Sequence, residues 1–320
     1  MLLDLLLAFA GIVLIIVGAD RLTDGSVALA RRFQVSELVI GLTIVAFGTS
    51  LPEFVVSLMS SLNGVPAMSI GNVVGSNLFN TLMIVGFTAV FAPIVVEKST
   101  LKKDIPFSIL SSLVLAALAL DTFWDNTATD DILSRADGFV LLAFFVIFLF
   151  YSYSLATGSR AEATAEESGA VLPSWKVALF IVLGLAGLVL GGELFVDGAS
   201  GIARELGISE AVIGLTLAAG GTSLPELATS IVAARKGRSA MAIGNVIGSN
   251  LFNIFWILGA CAMLLPMPVA GLTLTDFLML FVASVLFWLL ARTSYRVSRL
   301  EGAFLVTLYV GYVTSLILAL

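Results

Sequence analysis

Two stretches of 46 residues in this 320-residue chain align without a gap at a fixed offset of 173: Gly41–Gly86 and Gly214–Gly259. GTSLPE stands at 48–53 and again at 221–226. GNVVGSNLFN at 71–80 answers GNVIGSNLFN at 244–253. Of the 46 aligned positions, 26 are identical, and most of these are Gly, Ser, Thr, Asn, Pro or Glu. A repeat held only by packing would keep apolar pattern and small residues. This one also keeps oxygen donors and one acid per copy, which points to a two-fold site for a cation.

The residues between the motifs decide the medium. The chain is 59% hydrophobic and 12% charged, with a mean hydropathy of +1.09. Apolar runs of about 20 residues recur, enough to cross a hydrocarbon core of roughly 30 Å. In lipid each segment must satisfy its own backbone, so the runs are helices. Ten spans are expected, near 2–19, 38–61, 67–92, 104–120, 138–157, 174–196, 211–234, 240–264, 274–291 and 302–320. The first run lacks the basic start and cleavage site of a signal peptide. Residues 158–173, rich in Ala, Glu, Ser and Gly, read as a linker on the cytoplasmic side. Their acids lack the alternate spacing of a calcium loop. The linker divides the chain into a first half, 1–157, and a second half, 174–320, of five helices each.

Five is odd, so the halves enter the membrane from opposite sides. With the N-terminus outside, inner segments hold 14 of the 16 basic residues: Arg21, Arg31, Arg32, Lys98, Lys102, Lys103, Arg160, Lys176, Arg235, Lys236, Arg238, Arg292, Arg296 and Arg299. Only Arg135 and Arg204 are left outside. The positive-inside rule then puts both termini outside a multi-pass plasma-membrane protein. The expected fold is an all-α membrane protein, ten transmembrane helices in two inverted five-helix repeats. Many secondary transporters are built so, with the site near the midplane where the repeats meet.

Composition also excludes chemistry. The chain has no His and one Cys, Cys261. Zinc centres, Ser-His-Asp triads and an internal disulfide are ruled out. No nucleophile and base pair stands out, so no enzyme, no cofactor and no nucleic-acid partner is expected.

Within the spans, Gly48 and Pro52 weaken the first GTSLPE helix, because proline has no N–H and crowds the carbonyl four residues back. Gly220, Gly221 and Pro225 do the same in the second copy. The breaks free carbonyls around Ala46–Thr49 and Ala219–Thr222, and at membrane depth such backbone must line a cavity or bind something. Glu53 and Glu226 lie beside them. A charge at mid-bilayer costs roughly 2.5–3.5 kcal/mol even on lenient scales, and no Lys or Arg stands mid-span to pair with either acid. They need cations or protons. In the second motif, Asn72, Ser76 and Asn80 share one helix face, as do Asn245, Ser249 and Asn253. Asn72, Asn77, Asn245 and Asn250 read as interhelical hydrogen-bond partners; Ser76, Asn80, Ser249 and Asn253 are placed to meet the broken helices. The steps Gly71–Gly75 and Gly244–Gly248 permit close helix approach. All donors are oxygen, which suits a hard cation: Ca²⁺ takes 6–8 such ligands.

With paired GTSLPE and GN[VI]xGSNxFN motifs over nearly its whole length, the chain resembles the prokaryotic sodium/calcium exchangers of the cation/calcium exchanger superfamily. The resemblance implies a core of eight helices around four ion sites, exchange of Na⁺ for Ca²⁺ as transported ions, and function as a monomer in the bilayer. Carried over by position, it implies Glu53 and Glu226 as central Ca²⁺ ligands with the carbonyls of Thr49 and Thr222. Ser50, Ser76, Ser223, Ser249 and the carbonyls of Ala46 and Ala219 would complete Na⁺ sites. Asn80 and Asn253 would line the middle site. The first and sixth helices would slide against the core. Some family members have Asp where this chain has Asn253, which argues against potassium cotransport. Exchange of H⁺ for Ca²⁺ is the second reading, and a cation channel is one of another class.

Overall fold

The structure, a computed structural model, describes residues 1–125, 129–162, 172–207 and 219–318. Helix α1 (Leu2–Phe33) is followed by α2 (Glu37–Thr49) and α3 (Leu51–Leu62), which meet at a 45° bend. Next come α4 (Pro66–Phe91), strand β1 (Ile94–Val95), and α5 (Lys98–Lys102). After these, α6 (Asp104–Ala119), α7 (Asp121–Trp124), β2 (Ile132–Leu133) and α8 (Arg135–Glu162) close the first half. The second half holds α9 (Ser174–Glu205), α10 (Ala219–Gly221), α11 (Leu224–Arg235) and α12 (Ser239–Leu264). It ends with β3 (Met267–Pro268), α13 (Leu274–Ser294), β4 (Arg296–Val297) and α14 (Arg299–Leu318).

The chain is a helical, membrane-spanning protein. Among the described residues, seven helices are long and apolar enough to cross a bilayer, or eight if the bent pair α2–α3 is one span. Two further expected spans escape this count for separate reasons. Helix α6 has 16 residues, roughly 24 Å at 1.5 Å per residue. The second expected broken span, 211–234, falls partly outside the described residues, as do most of the linker and the first residues of the second repeat copy.

Helices α4 and α12 are the centre: 78% and 83% of their spanning windows are buried, against 22% or less for α1, α8, α9 and α14. Around them lies the main core, including Leu78, Leu82, Phe252, Phe255 and Leu258. The two halves are interlocked. Strand β1 pairs antiparallel with β4, Ile94 opposite Val297, and β2 pairs with β3, Leu133 opposite Met267. Helix α12 packs tightly on α2: a Cβ on Gly244 would lie 2.7 Å from the Leu38 carbonyl oxygen, and one on Gly248 would lie 2.5 Å from that of Leu42. Around Gly71 and Gly75 no described residue comes within 4 Å of a Cβ. The segment that would answer α2 there, 211–215, is not described.

Two expectations are corrected. Helices α1 and α9 run well beyond 19 and 196, to Phe33 and Glu205. Arg21, Arg31, Arg32 and Arg204 therefore stand on helices and not in loops. The extension of α1 holds because Leu22, Thr23, Ser26 and Ala30 recur at helical spacing and are buried, while the charges face outward. The pair α1–α9 is joined by close backbone contact: a Cβ on Gly18 would stand 2.8 Å from the Gly184 carbonyl oxygen, and one on Gly191 2.8 Å from the Ile15 nitrogen. Its apolar cluster, with Ile15, Ala19, Leu22 and Leu188, is separate from the main core and also takes in Ile40 and Val45 of α2.

Candidate functional site

The break in the first copy falls at Ser50, whose backbone leaves helical geometry at φ −82°, ψ 6°. Ser223 does the same in the second, at φ −92°, ψ 6°. Each proline sits in the first turn of the helix that follows, where its missing N–H costs nothing. The freed backbone is narrower than expected, because Ala46 O still accepts from Ser50 N at 3.0 Å. Thr49 Oγ1 donates to Val45 O at 3.0 Å and so caps the end of α2. Trp256 clamps the bend from outside, 5.3 Å from the Phe47 ring before it and stacked at 4.4 Å on Phe54 after it.

The breaks point Glu53 and Glu226 inward, each 1% exposed. The two halves then exchange hydrogen bonds. Ser223 Oγ donates to Glu53 Oε1 at 2.8 Å, and Ser50 Oγ donates to Glu226 Oε1 at 3.1 Å. Ser249 Oγ lies 3.5 Å from Glu226 Oε1. Thr222 stands against Glu53 and Thr49 against Glu226. Seven of the residues singled out from sequence are thus brought together with the two acids: Thr49, Ser50, Thr222, Ser223 and Ser249 at the carboxylates, and Asn72 and Asn245 at the acids' backbone carbonyls; Asn245 Oδ1 also accepts from Thr49 Oγ1 at 3.2 Å.

The asparagines build a second belt. Asn72 Nδ2 donates to Ser57 Oγ at 3.0 Å, and Asn245 Nδ2 to Ser230 Oγ at 3.1 Å. Both also reach back to the carbonyl of the acid in their own half, Glu53 O and Glu226 O, at 3.3 Å. Asn80 Nδ2 donates to Asn250 Oδ1 at 3.0 Å, and Asn253 Nδ2 to Asn77 Oδ1 at 2.9 Å. The amide nitrogens of Asn80 and Asn253 are spent between helices, and their oxygens remain. Buried oxygens without a hydrogen-bond partner among the described residues include Glu53 Oε2, Glu226 Oε2, Asn80 Oδ1, Asn253 Oδ1 and Ser76 Oγ. Such groups are costly in a dry interior unless something pairs them. Two anionic and several neutral oxygens fit a hard cation. No group of three His, Cys, Asp or Glu occurs among the described residues, so any ion held here is held largely by neutral oxygens.

Sequence reasoning missed three features. The helix is π-wound at Gly41–Val45, Phe79–Ile84 and Phe252–Leu258. These stretches include Asn80 and Asn253, and π-turns inside helices mark functional sites. Ser57 and Ser230 support Asn72 and Asn245; both are identical between the two copies, and that was the available signal. Asp104 and Asp276 are buried acids too, but their partners are Tyr151 Oη at 2.5 Å and Tyr312 Oη at 2.6 Å, at the starts of α6 and α13.

A cavity of about 640 Å³ leads to the break of the second copy. Leu51, Pro52 and Val55 form one wall, Gly192, Glu193 and Asp197 of α9 another, and Thr222 and Pro225 its floor. The matching place in the other half is filled. There Leu224, Ala228 and Val232 of α11 pack against the cluster of Ile15, Ala19 and Leu22. The acid pair draws on both copies of the repeat, and the cavity of about 640 Å³ lies at the second break.

The family model described as sodium/calcium exchanger protein matches residues 3–154 and 176–318. The chain belongs to the sodium/calcium exchanger family. Similar curated proteins include the putative antiporter CaxA of Alkalimonas amylolytica, 37% identical with 98% of each chain covered. Another is the sodium/calcium exchanger MaX1 of Methanosarcina acetivorans, 32% identical with 98% of each covered. Among solved structures, the sodium-calcium exchanger NCX_Mj soaked with Na⁺ and Ca²⁺ matches at a TM-score of 0.83 and 34% identity, covering 99% of both chains. As a family member the chain is a cation/Ca²⁺ exchange protein of the membrane.

Proposed function

We propose that this chain is a secondary antiporter that exchanges Na⁺ for Ca²⁺ across the cell membrane by alternating access. The observation that carries the reading is the pair Glu53 and Glu226, buried at two helix breaks and each hydrogen-bonded by the other half's serine. Glu53 and Glu226, with the carbonyls of Thr49 and Thr222, ligate Ca²⁺. Ser50, Ser76, Ser223, Ser249 and the carbonyls of Ala46 and Ala219 complete Na⁺ sites that share the two carboxylates. Asn80 and Asn253 give oxygens to the middle. Because the same carboxylates serve both ions, the two compete, and competition couples their fluxes. Relatives named as sodium/calcium exchangers support Na⁺ as the partner ion.

The architecture proposed with it is ten spans in two inverted five-helix halves, 1–157 and 174–320, working as a monomer. Hydrogen bonds that repeat at the 173-residue offset support the two-fold, as do the crossed strand pairs. The bias of basic residues supports a cytoplasmic linker at 158–173 and outside termini.

The test is uptake of ⁴⁵Ca²⁺ into proteoliposomes loaded with Na⁺, Li⁺ or K⁺, or held under a pH gradient. Uptake driven by internal Na⁺, saturating at carrier rates, is expected. Uptake driven by the pH gradient without Na⁺ would move the chain to H⁺/Ca²⁺ exchange, and flux at channel rates would end the carrier reading.

A further inference from the structure

The two ends of the asymmetry carry different charge. Asp20 and Asp24 on α1 and Glu193 and Asp197 on α9 occupy corresponding positions of the two halves, at the 173-residue offset. On the open side, Glu193 and Asp197 line the cavity. On the filled side, Lys236 follows α11 and spans both acids, with Nζ 2.7 Å from Asp20 Oδ1 and 2.7 Å from Asp24 Oδ1. It also donates to Asp20 O at 3.3 Å. The position that corresponds to Lys236 in the first copy is Asn63, which has no charge to offer Glu193 or Asp197.

We propose that Lys236 is an electrostatic latch: by bridging Asp20 and Asp24 it holds α1 seated on α11, closing this face of the membrane while the α9 face is open.

Three facts meet in this inference. First, α1 and α9 are joined backbone to backbone as one unit, and the apolar cluster they share meets α11 through Leu224, Ala228 and Val232, so a shift of α1 against α11 is felt at that seam. Second, Lys236 joins that unit to α11, the helix that carries Glu226; the neighbouring ion pair, Arg238 with Glu37 at 2.7 Å, joins α2 to the turn before α12 and leaves α1 untouched. Third, the contact can open. Its side chains are 31% to 43% exposed, and Asp24 and Lys236 border a cavity of about 330 Å³ with Arg31, Phe180 and Arg238. Burial lowers the affinity of Lys236 for its proton, but the hydrogen bonds and charges of Asp20 and Asp24 outweigh that, so it stays charged. Half-exposed pairs shift an equilibrium only a few-fold each, enough to bias a carrier and too little to trap it.

The latch rests on the alternating-access reading, and its test is chosen to fail separately. Full-length protein with C261A receives a single cysteine at the closed seam, A228C, or in the open cavity, V55C, and is reconstituted. The rate of labelling by an impermeant maleimide is measured for each. K236Q should speed labelling of A228C by about three- to tenfold and leave V55C unchanged or slower. D20N/D24N should match it, and the triple variant should add nothing beyond either. Unchanged labelling at A228C in K236Q overturns the latch. So does faster labelling at both cysteines, which is general loosening, or a fully additive triple variant. Labelling needs no ion flux. Loss of Na⁺-driven uptake with this response intact would overturn the exchange reading and leave the latch standing.

Discussion

Glu53 and Glu226 are unlike most buried charges because each is only half satisfied among the described residues: one oxygen accepts from the opposite serine and the other has no partner there. Replacing either by Gln removes one of the two charges that balance Ca²⁺. Stripping one partner from a buried charged cluster costs about 3 kcal/mol or more, roughly a hundredfold in binding. Uptake of ⁴⁵Ca²⁺ by E53Q or E226Q should therefore fall to background, while gel filtration still gives a folded protein, since a buried charge has been removed and not added. Near-normal flux in either variant would remove the acids from the site. Asn253 allows a second test. Its oxygen is neutral, and the matching Asn80 is neutral too, so among the described residues no third acid stands beside the pair. Wild-type exchange should run without K⁺, and N253D should make cation binding tighter and more sensitive to acid. An absolute K⁺ requirement in the wild type would show that an amide suffices there. These residues were legible because both copies keep them against an apolar background. The asparagine network was legible only in part. Asn250 Nδ2 finds Thr81 Oγ1 at 2.9 Å, and the corresponding residue of the second copy is Ile254, so this bond breaks the repeat and nothing in the pattern announces it.

The elements that hold the site are set by where backbones touch. On α12, Gly248 lies so close to α2 that a Cβ would meet Leu42 O at 2.5 Å and the Ala46 Cβ at 2.6 Å. Neither neighbour is a flexible tip, and α2 carries Thr49 at its end. Gly311 on α14 has nothing within 4 Å. G248V should cost at least about 3 kcal/mol, the upper range for overpacking, and lower the melting temperature of the detergent-solubilised protein by several degrees; G311A should leave it within error. Equal melting of the two variants would show that α2 yields at this seam. The sequence carried this contact as a G-x-x-x-G step, but the same step at Gly71 and Gly75 looks identical and meets no described residue. The length of α1 was hidden for another reason. Asp20, Arg21 and Asp24 end the apolar run, yet the helix continues, because four buried positions on one face suffice to hold it. The π-turns leave no mark in composition at all, and two of the three, Phe79–Ile84 and Phe252–Leu258, carry Asn80 and Asn253.

At the scale of the molecule, the repeat made the two-fold site legible, and for the same reason it hid the access. Two copies of one motif give no sign of which side is open. Leu51 and Leu224 are the same residue in the two copies, yet Leu224 packs with Ala228 and Val232 on the α1 cluster while Leu51 and Val55 line a cavity. The symmetry of the site does bear on the charge that a cycle carries. Two carboxylates from two halves are neutralised by one Ca²⁺. In the proposed site the neutral oxygens of Ser76, Asn80, Ser249 and Asn253 add coordination without adding charge, which would let the same cluster hold more than two Na⁺. A carrier loaded with three would move one net positive charge, on which the membrane potential acts by roughly 2.3 kcal/mol per 100 mV. Exchange of internal Na⁺ for external Ca²⁺ should then quicken when valinomycin and a K⁺ gradient make the inside of the vesicle positive, and slow when they make it negative, because the step that carries Na⁺ outward carries the net charge. E53Q in the same vesicles controls for leak. Rates that ignore the potential over its whole range would fix the exchange at two Na⁺ for each Ca²⁺ and confine the neutral oxygens to orienting the ions.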